Sequence, residues 1–302
     1  MKENQASSTA FTVMQGLLHI AQNPHYQHLV DNETVAIGQQ ILAASDEGKK
    51  RLKQLKQPWF SWSVKLREAI VLPGITLHYA LRKRHVETTV LNAINSGITQ
   101  IVTLGAGFDA LSWRLHTRYP NVSFIEIDHP DTQKMKLAAL ANPQATNIHF
   151  LSVDFTRQTL LGELSALNAF DGSKATLFIC EGVLMYLSQQ DVDVLFNSIK
   201  QLCSAKVQFL FSTLEPKHSP NNTIPKILYR HLDKIGEPIL WDLASENMAN
   251  YLRSHNCSLT SITGKTELLN AYANGNSRKR LHSGEYFTHC EFLSPSNSEV
   301  TA

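Results

Sequence analysis

The sequence predicts an α/β protein: a doubly wound sheet of about seven mostly parallel strands, with a helical N-terminal extension and an inserted lid. Three observations lead to this prediction. Residues 1–97 read almost entirely as helix, short apolar strands alternate with helical segments from residue 100 onward, and the first strand runs directly into Gly-Ala-Gly. Strands that alternate with helices indicate βαβ units, in which neighbouring strands are parallel and crossovers are right-handed.

Residues 1–97 are predicted to form a helical extension that packs on the core. Apolar residues recur at helical spacing over 32–45, where Asn32 is placed to cap the helix. A longer amphipathic helix over 78–97 ends at Gly97, a residue suited to the left-handed conformation that closes many helices.

Residues 98–293 are predicted to form the core domain. Five apolar strands, separated by helical segments, are expected at 100–105, 122–128, 148–154, 175–182 and 207–215. Two later segments, 257–264 and 284–293, are expected to be the last two strands and to pair with each other.

Two segments depart from the strand–helix alternation. Residues 217–241 contain three prolines and are predicted to be a lid inserted over the substrate. Residues 294–302 are polar and are expected to form a disordered tail.

Composition argues against several classes of partner. The chain has 302 residues and a net charge of +2, which is too small to favour nucleic acid or an anionic membrane. The four cysteines lie far apart and the histidines show no metal-ligand spacing, so no metal site is predicted. The absence of a signal-peptide pattern, and of an apolar run near the roughly 20 residues that span a bilayer, favours a cytoplasmic protein.

The glycines at the end of the first strand indicate a ligand site. Gly105 and Gly107 stand where a strand meets a helix, and glycine lets a ligand approach the backbone without a Cβ in the way. The second strand ends in Glu126-Ile127-Asp128, and an acid at this position can accept both hydroxyls of a ribose. Asp128 is the first candidate, but Glu126 points to the same sheet face and stays open as an alternative.

This pattern fits two cofactor classes, NAD(P) and S-adenosylmethionine. The third glycine of a dinucleotide fingerprint is Ala110 here, and the glycine turn follows about 95 helical residues, whereas a dinucleotide domain often opens the chain. The third strand ends in Asp154-Phe155, where a carboxylate can accept from the adenine amine with an aromatic ring beside it. A competing reading of Asp154 is that it caps the following helix.

Four sequence blocks, in order and with compatible spacing, resemble the leucine carboxyl methyltransferase family. They are HYALRKRHVE at 78–87, IVTLGAGFDALSWRL at 101–115, FIEIDHP at 124–130 and LFICEGVLMYL at 177–187. The chain is most similar to the bacterial branch of these S-adenosylmethionine-dependent O-methyltransferases. The resemblance implies a Rossmann-like methyltransferase fold with S-adenosyl-L-methionine as cofactor.

The resemblance also implies roles for individual residues. Arg82 matches the arginine that pairs with the cofactor carboxylate, and Gly105 and Gly107 match the glycine turn. Asp128 matches the ribose-binding acid, and Asp154, followed by Phe155, matches the adenine-side acid. Glu181 matches the acid that lies near the cofactor amino group and the methyl-transfer centre.

Other readings of these residues stay open. Arg82 would otherwise lie on a solvated helix face, and Glu181 would otherwise cap the next turn. Family members that act on proteins carry a further N-terminal lysine for the cofactor carboxylate. Lys65 and Arg67 are candidates for that role, although solvated helix positions suit them better.

The expected function is methyl transfer to a carboxylate or hydroxyl oxygen of a small molecule, with Glu181 and Tyr186 as catalytic candidates. A carboxylate acceptor is already ionised at neutral pH and needs no base, whereas a hydroxyl needs one nearby. The alternatives are a protein C-terminal carboxyl methyltransferase, an NAD(P)-dependent oxidoreductase, and a binding module without turnover. The sequence makes no prediction of oligomeric state.

Overall fold

The structure is a computed structural model that describes residues 7–70, 72–140, 145–155, 157–273 and 281–293. The predicted tail, 294–302, lies outside these residues. Within the described residues, the α-helices before the first strand are α1 Ser8–Ala21, α2 Asn32–Ala43, α3 Asp46–Leu55, α4 Pro58–Ile70 and α5 Ile75–Asn95.

Local sequence determines where these helices begin and end. The carboxylate of Asp31 accepts the N–H of Thr34 at 2.8 Å and caps α2. The prediction that Asn32 is the cap is therefore wrong by one residue, because Asn32 is already the first helical residue. The prediction for Gly97 is confirmed, since it follows α5 with a φ of +96°.

The strands of the described chain form one seven-stranded sheet in the order β3-β2-β1-β4-β5-β7-β6. Only β7 runs antiparallel to its neighbours; every other pairing is parallel. This confirms the mostly parallel sheet and the pairing of the last two strands. The strands are β1 Gln100–Leu104, β2 Ser123–Asp128, β3 Ile148–Ser152, β4 Thr176–Cys180, β5 Val207–Leu214, β6 Cys257–Thr263 and β7 Glu285–Phe292.

Helices cover both faces of the sheet, so its central strands are apolar on both sides. In β4, Leu177 packs in an apolar cluster with Val90 of α5, whereas Phe178 packs on the opposite face with Phe196. No helix in the described part of the chain combines the length and the apolar character needed to span a bilayer. The remaining α-helices are α6 Leu111–Leu115, α7 Pro130–Ala139, α8 Leu160–Ser165, α9 Gln189–Leu202, α10 Lys226–Ile235, α11 Met248–Ser254 and α12 Lys265–Tyr272.

The N-terminal helices pack against the glycine turn that follows β1. The ring of Phe11 in α1 meets the ring of Phe108 edge-on, with centroids 5.0 Å apart. Both rings belong to an apolar cluster that also contains Leu81 of α5 and Leu268 of α12. The first helix is thereby fixed directly beside the turn.

The segment 217–241 contains helix α10 and is hydrogen-bonded to several parts of the fold, two of which are the N-terminal helix and the loop after β4. The backbone N–H groups of Leu240 and Trp241 both donate to the carbonyl of Met185, at 2.9 and 3.2 Å. On the other side, Thr9 Oγ1 of α1 donates to Glu237 Oε2 at 3.0 Å. The segment therefore connects the loop after β4 to the N-terminal helix.

Replacing Gly105 by alanine tests whether the turn after β1 requires glycine for packing as well as for conformation. Gly105 has a φ of +70°, and a Cβ there would overlap the side chain of Val183. Gly97 is a matched control, because its φ is also positive but a Cβ there would meet nothing. In urea denaturation, we expect Gly97→Ala to cost about 1–2 kcal/mol and Gly105→Ala to cost about 1–3 kcal/mol more. Equal losses would show that only backbone conformation matters at this turn.

Candidate active site

The candidate site lies where the strand order reverses, between β1 and β4. Leu104 and Cys180, the last residues of these two strands, are partners in the sheet register. The chain leaves β1 toward β2 on one side, and β4 continues the sheet on the other. In doubly wound sheets this reversal opens a crevice beyond the carboxyl ends of the strands, where ligands bind.

Asp128 and the glycine turn form one wall of this crevice. The N–H of Gly107, whose φ is +54°, donates to Asp128 Oδ2, and the N–H of His129 donates to Oδ1 at 2.6 Å. Burial raises the pKa of Asp128, and these two backbone donors oppose the rise. The turn and the acid predicted from the sequence are thus in direct contact.

Glu126 points into the space beneath the turn and is already paired. Its Oε2 lies 2.5 Å from Lys136 Nζ, and both side chains are almost completely buried. Burial raises the pKa of Glu126, and Lys136 opposes this effect. The sequence analysis left Glu126 open beside Asp128, and the structure distinguishes them: only Asp128 contacts the glycine turn.

Arg82 and Glu181 are brought together although 99 positions separate them in sequence. Arg82 Nε and Nη2 lie 2.9 and 2.8 Å from Glu181 Oε1, and Nη1 lies 2.9 Å from Glu285 Oε2. Burial acts to lower the pKa of Arg82, but the two carboxylates outweigh it and raise the pKa. Arg82 is not on a solvated helix face, and the Glu181 carboxylate binds two cationic side chains instead of capping a turn.

Lys83 joins this cluster, and the sequence analysis did not select it. Its Nζ lies 2.5 Å from Asp109 Oδ2 and 2.8 Å from Glu181 Oε2. Burial alone would raise the pKa of Asp109, but the ammonium of Lys83 lowers it. Lys65 and Arg67, which the sequence analysis did consider, are exposed on α4. The available signal for Lys83 was its position directly after Arg82.

Glu285, at the start of β7, is another member of the cluster that the sequence analysis missed. Besides Arg82, it accepts hydrogen bonds from His78 Nε2 and Ser212 Oγ, both at 2.8 Å. Burial opposes ionisation, but Arg82 and His78 hold the pKa of Glu285 far below its ordinary value. His282 stacks edge-on against His78, and burial lowers the pKa of His282 to about 3.

Tyr186 lies at the end of a short 3-10 helix, Leu184–Tyr186, after β4. Burial raises its pKa, and the carboxylates of Glu237 and Glu285 raise it further. Its phenol is therefore protonated at neutral pH and can donate a hydrogen bond, but it cannot act as a base there.

Asp154 and Phe155 follow β3, beyond the strand that carries Asp128. Asp154 Oδ2 lies 3.6 Å from Arg157 Nε, and the ring of Phe155 is 39% exposed. Thr159 caps α8 by accepting from the N–H of Gly162, so the reading of Asp154 as the cap of this helix is wrong.

A model of the leucine carboxyl methyltransferase family matches residues 7–200. The chain belongs to the leucine carboxyl methyltransferase family. This confirms the resemblance drawn from the four sequence blocks. The matched range includes the N-terminal helices, the glycine turn, Asp128 and Glu181, but it ends before Glu285.

Relatives from two mycobacteria carry the name "Putative S-adenosyl-L-methionine-dependent methyltransferase". The protein from Mycobacterium marinum is 28% identical over 204 residues, which cover 62% of this chain and 63% of the relative. The protein from Mycobacterium tuberculosis is 30% identical over 199 residues, which cover 62% of this chain and 56% of the relative. The chain thus spans less than two thirds of the length of these relatives.

Solved structures share the fold of this leucine carboxyl methyltransferase family member. A DUF574 family protein from Streptomyces avermitilis is 10% identical and has a TM-score of 0.58, with 96% of this chain and 98% of that chain covered. A protein from Thermobifida fusca, titled "putative methyltransferase", is 13% identical with a TM-score of 0.53, and 97% of each chain is covered. At these identities the likeness confirms the Rossmann-like fold and nothing finer.

Replacing Glu285 by glutamine tests whether the buried carboxylate is essential to the cluster. The variant leaves the charge of Arg82 without one of its partners, so we expect a loss of about 3 kcal/mol in the free energy of unfolding at neutral pH. The exposed Glu246→Gln is the matched control and should cost almost nothing.

The pH dependence of the same variant provides a second readout. Folding lowers the pKa of the Glu285 carboxyl from its ordinary value of 4.5. The ionised carboxylate therefore stabilises the folded chain fully above pH 4.5, and this stabilisation is lost as the pH falls toward the pKa of the folded state. The stability gap between the wild-type protein and Glu285→Gln should therefore narrow below about pH 4.5. A gap that is constant with pH would mean that the carboxylate charge of Glu285 is not what stabilises the fold.

Proposed function

We propose that this chain is an S-adenosylmethionine-dependent methyltransferase that transfers a methyl group to a carboxylate or hydroxyl oxygen of a small molecule. The observation that carries the proposal is the convergence of Arg82, Glu181, Asp128 and the Gly105–Gly107 turn on one crevice. Family membership and the names of the mycobacterial relatives support the choice of cofactor.

The charge of the crevice fits this cofactor. Arg82 and Lys83 contribute two positive charges, while Asp109, Glu181 and Glu285 contribute three negative charges. These five side chains sum to −1. S-adenosylmethionine carries an ammonium, a sulfonium and a carboxylate, which sum to +1. A cluster with both signs in fixed positions can therefore bind the amino-acid end of the cofactor and still neutralise its net charge.

Each predicted residue then has a role toward the cofactor. Arg82 binds the carboxylate, because a guanidinium can grip it bidentately, and Glu181 binds the ammonium. Asp128 binds the ribose hydroxyls, and Gly105 and Gly107 provide the close backbone approach. Asp154 and Phe155 bind the adenine amine and ring. S-adenosylmethionine, when bound, supplies an electrophilic methyl group.

Tyr186 positions the acceptor oxygen by donating a hydrogen bond from its protonated phenol. Glu181, which is held by two cations, acts electrostatically beside the methyl-transfer centre. The segment 217–241 covers the crevice, since it is bonded to Met185 beside Tyr186 and to α1, and it excludes water from the reacting atoms. Among the described residues, no cluster of three or more His, Cys, Asp or Glu side chains could hold a metal ion, and the proposed transfer does not require one.

The state of the cysteines agrees with a cytoplasmic location. Cys180, Cys203, Cys257 and Cys290 are all free thiols, and three of them are buried. Free cysteines are typical of a reducing compartment, and burial raises the pKa of the Cys180 thiol so that it stays protonated and unreactive.

Calorimetry with Arg82→Ala tests the cofactor assignment. The wild-type chain should bind S-adenosylmethionine and should not bind NADH. Arg82→Ala should weaken binding of S-adenosylmethionine by about 1.5–3 kcal/mol, the contribution of a charge-assisted hydrogen bond. Arg84→Ala is the control, because Arg84 lies on the same helix and its one ion pair among the described residues is with Glu87. Binding of NADH instead, or equal affinity for both variants, would defeat the assignment.

A screen for methyl transfer from labelled S-adenosylmethionine tests the acceptor. Small carboxylic acids, phenols and peptides with a free C-terminus are compared for the wild-type chain and for Tyr186→Phe. We expect label on a small acid or phenol, and a fall in kcat of about tenfold or more without the Tyr186 hydroxyl. Label on peptide termini alone would instead indicate a protein carboxyl methyltransferase.

A further inference from the structure

Helix α4 has two apolar faces, and only one of them is covered. Phe60 and Val64 are 5% and 7% exposed and pack in the N-terminal apolar cluster. On the opposite side, Trp59, Trp62 and Leu66 follow one another at helical spacing and are 55%, 67% and 46% exposed. We call these three residues the aromatic face. A solvent-facing helix surface with two tryptophans indicates a binding surface.

The basic charge of the protein is concentrated in the segment that forms α3 and α4. Residues 46–70 contain seven Lys and Arg against three Asp and Glu, a net charge of +4. The rest of the chain contains 21 basic and 23 acidic residues, a net charge of −2. The overall charge of +2, which argued against an anionic membrane, conceals this asymmetry.

The three acids of this segment are engaged within the protein. Asp46 lies 3.6 Å from Lys49, Glu47 lies 2.8 Å from Arg51, and Glu68 Oε1 accepts the N–H of Thr76 at 2.9 Å. Four exposed lysines form no ion pair with any acid in the described part of the chain, and they are left to face a partner: Lys50, Lys53, Lys56 and Lys65.

We propose that α3 and α4 dock this protein on the surface of an anionic lipid bilayer. Tryptophan prefers the headgroup level of a bilayer, where its ring is partly apolar and its N–H is hydrated. Leu66 completes the apolar stripe, and the exposed lysines of α3 and α4 attract anionic headgroups. Helix α4 has 13 residues and is about 20 Å long, which is too short to cross the roughly 30 Å core of a bilayer. With its apolar residues on one exposed side, it would lie in the plane of the surface.

A lipid surface explains the aromatic face better than a nucleic acid does. Single-stranded nucleic acid also binds basic surfaces through stacked aromatic rings, but it does not require an aliphatic residue in the same stripe. Here Leu66 continues the helical spacing of the two tryptophans, which is the pattern of a helix lying at a membrane interface.

Vesicle sedimentation of the full chain tests the proposal. Vesicles of phosphatidylcholine alone are compared with vesicles that also contain phosphatidylglycerol. We expect binding only to the anionic vesicles, weaker binding at high salt, and a shift of tryptophan emission to shorter wavelength. Brominated lipid should quench that emission, because Trp59 and Trp62 would lie within reach of the acyl chains.

Three variants identify the surface. Trp59→Ser with Trp62→Ser should lose at least tenfold in partitioning, and Lys53→Gln with Lys56→Gln should lose about thirtyfold. Val194→Ser, on α9 and 47% exposed, is the control and should bind like the wild-type chain. Circular dichroism verifies that each variant is folded.

Three results would overturn the proposal. One is the absence of binding to anionic vesicles. Another is an equal loss in the Val194→Ser control. The third is a different occupant of the aromatic face, either an oligonucleotide or a second copy of this chain. Sedimentation velocity would detect either complex, and the tryptophan substitutions would abolish it.

Discussion

The structure around the crevice depends on the guanidinium of Arg82, which is held between two buried carboxylates. Glu181 follows β4 and Glu285 begins β7, so this one side chain joins helix α5 to two strands that β5 separates in the sheet. A buried charge is costly unless it is fully paired, and each member of the cluster therefore requires the others. The positions of α5, β4 and β7 relative to one another are set by this requirement.

The cluster also prepares the crevice for a charged ligand before the ligand arrives. Lys83 and Asp109 extend it toward the glycine turn, and Ser212 and His78 fix the far carboxylate. Side chains that already have fixed partners lose little freedom when a ligand binds, and they need little reorganisation. In the binding mode proposed above, this rigidity lets the carboxylates pair with the sulfonium and the ammonium at little cost in conformational entropy.

Residues at the ends of strands were predictable because their placement is local. An apolar strand that runs into Gly-Ala-Gly must turn at Gly105 and Gly107, and parallel strands bring Asp128 and Glu181 to the same edge as that turn. Lys83 and Glu285 were missed for the opposite reason. Lys83 contacts Glu181, which is 98 positions away, and Glu285 contacts Arg82, which is 203 positions away; no local pattern encodes such contacts.

The sequence alone determined the fold class, the approximate positions of the strands and the family, because periodicity and strand-end motifs are properties of neighbouring residues. Tertiary structure alone gave Glu126 and Asp128 different partners. Both point to one sheet face, but packing places Lys136 against Glu126 and the Gly107 N–H against Asp128. Tertiary structure also decided that Trp59 and Trp62 are exposed. Helical spacing identifies two apolar faces on α4, but it cannot tell which one the core covers.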